Sequence, residues 1–214
     1  MPDRKNSWVD FIREIVILLL GILIAFQLNT CSDNRKEQQI VDRHFESLIQ
    51  ESEDNLGRLQ WSAKHIESTE NKVDSLIALI ADKGSLLTIN TLALDLLNVG
   101  GLYIKSSAFN TMQQTGDIRN ITKYDTKSDL VSLYEYYKWI RGVEDIAIKS
   151  YEDQYYPYIA KHLDFVAGQP QSRDVYENKE FLNALGSYKY HCGARAAKYQ
   201  DCIKKVESFI ENYK

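Results

Sequence analysis

The chain has 214 residues, a net charge of −4, 44% hydrophobic and 26% charged side chains. That length holds one domain with its own core, and the absence of a dense basic patch beyond the N-terminal region argues against nucleic-acid binding. Three prolines and ten glycines leave no low-complexity linker or repeat, and strand-like alternation is nearly absent.

The first element is an apolar run, Ile15 to Phe26 (IVILLLGILIAF), free of charged or polar side chains. Its roughly 12 residues make roughly 18 Å of helix, against a hydrocarbon core of about 30 Å. Extended from Trp8 to Leu28 it reaches roughly 31 Å, taking in Asp10, Arg13, Glu14 and Gln27. The expectation is a single-pass membrane anchor (residues 1–31) facing the lipid bilayer, with Arg13 snorkelling and Trp8 at headgroup level. Glu14, Leu18, Gly21 and Ala25 fall on one stripe at 100° per residue. Gly21 and Ala25 have the small-xxx-small spacing that lets helix backbones meet, so this stripe is predicted to contact another transmembrane helix, in a homo-oligomer or a partner, and to shelter Glu14. Gln27 and Asn29 are the further intramembrane polar positions.

Rival readings of the run are a cleaved secretory signal, a lipoprotein signal ending at Cys31, and a buried core helix. Asp10 and Glu14 disfavour the first, and Asn29-Thr30 is a poor lead-in to a lipidated cysteine. All-round hydrophobicity at a chain end disfavours the third. Arg4, Lys5 and Arg13 before the run balance Arg35, Lys36 and Arg43 after it, so charge leaves orientation open. A short tail before one span favours the inner (cytoplasmic) membrane with a periplasmic domain.

Residues 32–214 read as a helical bundle. From Asn34 to Asp82, Val41, Phe45, Leu48, Ser52, Leu56, Leu59, Ala63, Ile66, Glu70, Val73, Ile77 and Ile80 step by three or four, close to a coiled-coil heptad seam. No Pro or Gly pair separates this helix from the apolar run, so one helix is predicted to leave the membrane directly. Lys83-Gly84-Ser85 stops it. A short helix from Thr88 to Asn98 ends at Gly100-Gly101. Another, Ala108 to Thr115, is capped by Ser106 or Ser107 and closed by Gly116. A third long helix opens at Asp125 or Thr126 and runs toward His162, bent or broken by Pro157. Asp164 to Ser172, with Gly168 and Pro170, is a loop. The last helix spans Asn178 to Asn212 on Phe181, Leu185, Tyr188, Cys192, Ala196, Tyr199, Ile203, Val206 and Ile210. The fold class is all-α: a transmembrane helix continuing into an antiparallel bundle of three long and two short helices.

Chemistry is scarce. The chain has no HExxH, no Gly-rich phosphate loop and no GxSxG. No histidine completes a Glu-x-x-His pair, so no catalytic residue, metal or cofactor is assigned. Cys192 and Cys202 lie about 15 Å apart on a continuous helix, which forbids a disulfide unless the helix breaks at Gly193. Fourteen tyrosines stand out, with a cluster at Tyr151, Tyr155, Tyr156 and Tyr158. A partner-binding face there competes with core packing. Glu51, Glu53 and Asp54 read as a solvated helix face.

EIVILLLGILIAFQLNT, residues 14–30, resembles the membrane segment of an uncharacterised family of single-span proteins abundant in Bacteroidetes. There a Glu opens the span and a Gly-Ile-Leu-Ile-Ala-Leu-Gln-type motif closes it, before Asn-rich residues and a Trp. Glu14, Gly21, Ala25, Gln27 and Asn29 fall on that pattern. Cys31 stands where the family has Trp, which argues against lipidation. Ser107-Ala108-Phe109 with Thr115-Gly116-Asp117-Ile118 is similar to a second block. The resemblance implies a membrane protein with a helical external domain and carries no activity with it. The expected role is interaction or scaffolding, with a sensory or ligand-binding bundle as the alternative.

Overall fold

The computed structural model describes residues 6–166, 169, 170 and 172–214, with side chains for 8–166 and 172–214. Arg4, Lys5 and Gly168, used above, lie outside the described residues. The all-helical class holds. Helix α1 (Asn6–Ala81) is a single rod of 76 residues, so the apolar run and the first bundle helix are one element. At 1.5 Å per residue that is about 114 Å.

Its end shows where a helix stop lies at residue level. Lys83 takes the left-handed conformation (φ 52°) expected of a glycine. The Lys83 N–H bonds Ile80 O (3.2 Å) and the Gly84 N–H bonds Leu79 O (2.8 Å), the paired closure of a Schellman motif. Glycine follows one position later: a Cβ at Gly84 would sit 2.7 Å from Leu79 Cδ2 and 3.2 Å from Leu79 O, so Leu79 would have to shift.

The chain then returns. Helix α2 (Leu86–Asp95) is opened by Ser85, whose side chain accepts from Thr88 N–H. It ends three residues before the predicted Asn98, because Leu96 and Leu97 leave the helix while Leu96 still packs in the core. An extended stretch leads to α3 (Ser107–Thr115), terminated by Gly116 at φ 80°. After a 3₁₀ turn (Asp117–Asn120), α4 (Tyr124–Ser150) runs into a π-helical turn (Tyr151–Tyr155) and α5 (Tyr156–His162). The π turn ends two residues before Pro157, whose missing N–H and ring disfavour an unmodified α-helix through this point. The predicted loop contains a two-residue antiparallel pairing, β1 (Leu163–Asp164) with β2 (Gln169–Pro170). A single turn, α6 (Asp174–Glu177), precedes α7 (Lys179–Tyr213), whose Asn178 cap accepts from Glu180 N–H at 2.8 Å.

The three long helices alternate in direction. α7 runs against α1, with Lys189 on Asp74 and Lys214 on Glu53. It also runs against α4, with Ser187 on Ser150 and Tyr213 on Asp129. α1 and α4 are therefore parallel, and the Tyr134 hydroxyl donates to Glu51 between them (2.6 Å). The physical reason is the return segment, residues 82–123, which travels back along the bundle. It is tied to α1 at Lys72–Asp95, Asn55–Lys105 and His44–Asp117.

The core forms where the predicted stripes meet. Leu48, Leu59, Val73 and Leu76 of α1, Leu130 and Ile140 of α4, and Leu185, Tyr199 and Val206 of α7 are fully buried. Each such aliphatic side chain contributes about 1.5–3 kcal/mol. Burial on α1 begins at Val41; from Trp8 to Ile40 only Thr30 is even half-buried.

Candidate functional site

The stretch of α1 before the bundle is the most unusual surface. Trp8, Phe11, Ile17, Leu18, Leu23, Phe26 and Leu28 are each more than half exposed, and the apolar side chains between them are nearly as open. Monomeric soluble proteins rarely leave such an area uncovered. The predicted stripe of Glu14, Leu18, Gly21 and Ala25 lies on this free rod, and a Cβ at Gly21 would meet nothing within 4 Å. At its far end the polar groups bond locally: Thr30 Oγ1 donates to Phe26 O (2.9 Å) and Asn29 Nδ2 to Asp33 (3.3 Å). Gln27 is exposed. The expected transmembrane helix is not supported as such: among the described residues no helix is long and apolar enough to cross a membrane. The strictly apolar run, roughly 18 Å, falls short of a hydrocarbon core of about 30 Å.

The four clustered tyrosines do not share an open face. Tyr151, Tyr155 and Tyr158 are buried, and Tyr156 alone is half exposed. Their hydroxyls complete the end of a helix. Tyr155 donates to Ala93 O (2.8 Å), Tyr151 to Leu97 O (3.1 Å) and Tyr188 to Leu96 O (3.3 Å), covering carbonyls freed where α2 stops. Tyr176 reaches Asn90 (2.6 Å) and Tyr158 reaches Val175 O (2.6 Å). Burial pushes the Tyr151 phenol up to about 12 and raises the Tyr155 phenol well above its ordinary value, so both remain donors at neutral pH.

Buried charge is what sequence reasoning missed. Arg195 of α7 and Glu144 of α4 form an ion pair with side chains 3% and 5% exposed. Arg195 Nε and Nη2 meet the two carboxylate oxygens at 2.8 and 2.9 Å, and Nη2 also donates to Gly100 O. The Tyr199 hydroxyl and the Leu102 N–H donate to the same carboxylate. Glu51, read as solvated, is 5% exposed. It accepts from Ser107 Oγ (2.7 Å), Ala108 N–H (2.9 Å) and Tyr134, thereby capping α3 in place of the predicted serine. The available signal was position: Arg195 lies three after Cys192 and four before Tyr199, inside the α7 stripe. Glu144 likewise sits four after Ile140.

Cys192 and Cys202 are both buried and unpaired, on a helix unbroken at Gly193. Among the described residues no three His, Cys, Asp or Glu side chains converge as metal ligands. Two hollows flank the return segment, of about 840 Å³ against α4 and about 440 Å³ against α1. No family model, curated protein or solved structure matches the chain.

Proposed function

We propose that the chain is a membrane-anchored interaction or scaffolding protein whose apolar α1 segment is embedded in lipid and meets a second transmembrane helix. The observation that carries this reading is the uncovered apolar rod in unbroken continuity with a bundle that has a buried core of its own. Although the strictly apolar run is short, Ile15 to Ser32 carries no Asp, Glu, Lys or Arg. Thr30 and Asn29 each make one side-chain hydrogen bond within or just beyond that stretch, which lowers the cost of taking them toward lipid. Asp10 and Arg13 pair at 3.5 Å at the other end, where headgroup water is near. The likeness of residues 14–30 to single-span anchors points the same way. A sensory bundle is less favoured, because most of the tyrosines it would use as a cavity lining fill the core.

The test has two parts. Membranes bearing the full chain are washed with alkaline carbonate; retention in the pellet is expected, and release into the wash would refute embedding. Single cysteines at Leu18, Gly21, Ile22, Leu23 and Ala25, in a Cys31→Ser background, are then oxidised. Crosslinking concentrated at Gly21 and Ala25 is expected for self-association, whereas uniform crosslinking around the helix would refute that contact face.

A further inference from the structure

Between α2 and α3 the return segment carries no helix over residues 98–106, and side chains bond its backbone from two sides. Toward α4 and α7, side chains bond three of its backbone groups: Arg195 donates to Gly100 O, Glu144 accepts from Leu102 N–H, and Arg141 donates to Ile104 O (2.7 Å). Toward α1, Asn55 grips Lys105 at both backbone groups, donating to its C=O (2.9 Å) and accepting from its N–H (2.8 Å). Backbone groups of an extended chain alternate in direction, so Tyr103 and Gly101 share the edge of Lys105. Among the described residues, no hydrogen bond reaches the backbone of either.

Both residues open onto the hollow of about 440 Å³, within the size range of ligand sites, about 300–1,000 Å³. Ser62 at its floor is 5% exposed, and among the described residues its hydroxyl makes no hydrogen bond. Just behind it the His65 ring abuts Gly100, with Nε2 buried and without a partner among the described residues, and stacks on Trp61 at 5.4 Å. Trp61 and Tyr103, 63% and 67% exposed, form aromatic walls. Arg58 lies over the Tyr103 ring (5.3 Å); among the described residues it joins no salt bridge, though its charge acts on Asp54, which is itself paired with Lys105.

We propose that this hollow binds an extended peptide segment of a partner protein, added as a strand beside Gly101–Lys105 and carrying an acidic side chain against Arg58. An open row of backbone donors and acceptors is matched by another peptide backbone, and Asn55 already imitates one at Lys105. Ser62 supplies one further polar contact at the floor, and Trp61 packs the partner's apolar side chain. The inference names a partner class for the interaction role above, but it rests on the bundle and stands whether or not α1 enters lipid.

The test uses the full chain in detergent micelles, labelled with ¹⁵N at Gly and Tyr. The probes are acetylated, amidated tetrapeptides alternating Val with Glu, Thr or Lys, and the same peptides N-methylated at alternate amides. Saturable shifts at the Gly101 and Tyr103 amides are expected, strongest with Glu and weakened at least about tenfold by N-methylation. Gly57→Phe enters the hollow from a helical position with nothing within 4 Å of its Cβ and should abolish the shifts. Arg58→Glu, at an exposed position, should reverse the order of the Glu and Lys peptides. Absence of saturable change at millimolar peptide, equal binding of N-methylated probes, or an Arg58→Glu order unchanged would overturn the proposal. So would shifts that follow protein concentration without peptide, since the occupant would then be a second copy.

Discussion

Arg195→Met isolates the polar contact inside the bundle. Glu144 now receives two charged donors from Arg195, the Tyr199 hydroxyl, and a long contact of 3.4 Å from Leu102 N–H. Methionine keeps much of the aliphatic volume but leaves a buried carboxylate with only the last two. Removing one partner of a buried pair costs about 3–5 kcal/mol, against a total stability of about 5–15 kcal/mol for a domain. Adding Glu144→Met removes the stranded charge and leaves only neutral groups unmatched. The double variant should therefore recover about 1–3 kcal/mol relative to Arg195→Met alone. Urea unfolding of the full chain in mild detergent, followed by far-UV circular dichroism, reads both. With slopes of about 1–3 kcal/mol per molar urea, the single variant's midpoint should fall by about 1–5 M. A fall below about 0.3 M, or a double variant less stable than the single one, would refute the reasoning.

Tyr155→Phe should cost about 1–3 kcal/mol in the same assay, since Ala93 O loses its buried donor, while Tyr156→Phe should change stability by less than about 0.5 kcal/mol. Burial pushes the Cys192 and Cys202 thiols up to about 11 and about 12, and thiolate is the reactive form. A thiol-specific disulfide reagent at pH 8 should thus titrate the exposed Cys31 alone, with the other two appearing only in denaturant or as pH approaches about 11. Lys83→Gly should raise stability by about 0.5–1 kcal/mol by relieving the left-handed backbone, and Gly84→Ala should lower it through contact with Leu79. Thermal melts showing the opposite order would count against the cap geometry.

Periodicity made most of the helices legible, because a stripe such as Val41–Leu48–Leu59–Val73 has one physical use. Gly116 and Pro157 acted locally and were equally readable. Direction was not. Whether α1 and α4 run parallel depends on residues 96–106 leaving the helix and extending, which no apolar period records. The buried Glu144, Arg195 and Glu51 were hidden for a related reason: a charged residue within a stripe reads as solvated until its partner on another helix is known. The tyrosine cluster was conspicuous in composition, yet its purpose depended on carbonyls ending α2 more than fifty residues earlier in the chain.

Because α1 is one unbroken rod, it fixes azimuth as well as height. Ala25 and Trp61 are roughly 36 residues apart, which is about ten full turns and about 54 Å along the axis. Both side chains thus leave the rod on nearly the same bearing. A neighbouring helix lying along Ala25 would continue toward the side on which the Trp61 hollow opens. Inserting two residues between Phe26 and Val41 would swing that opening by about 200°, uncoupling the two ends without altering either.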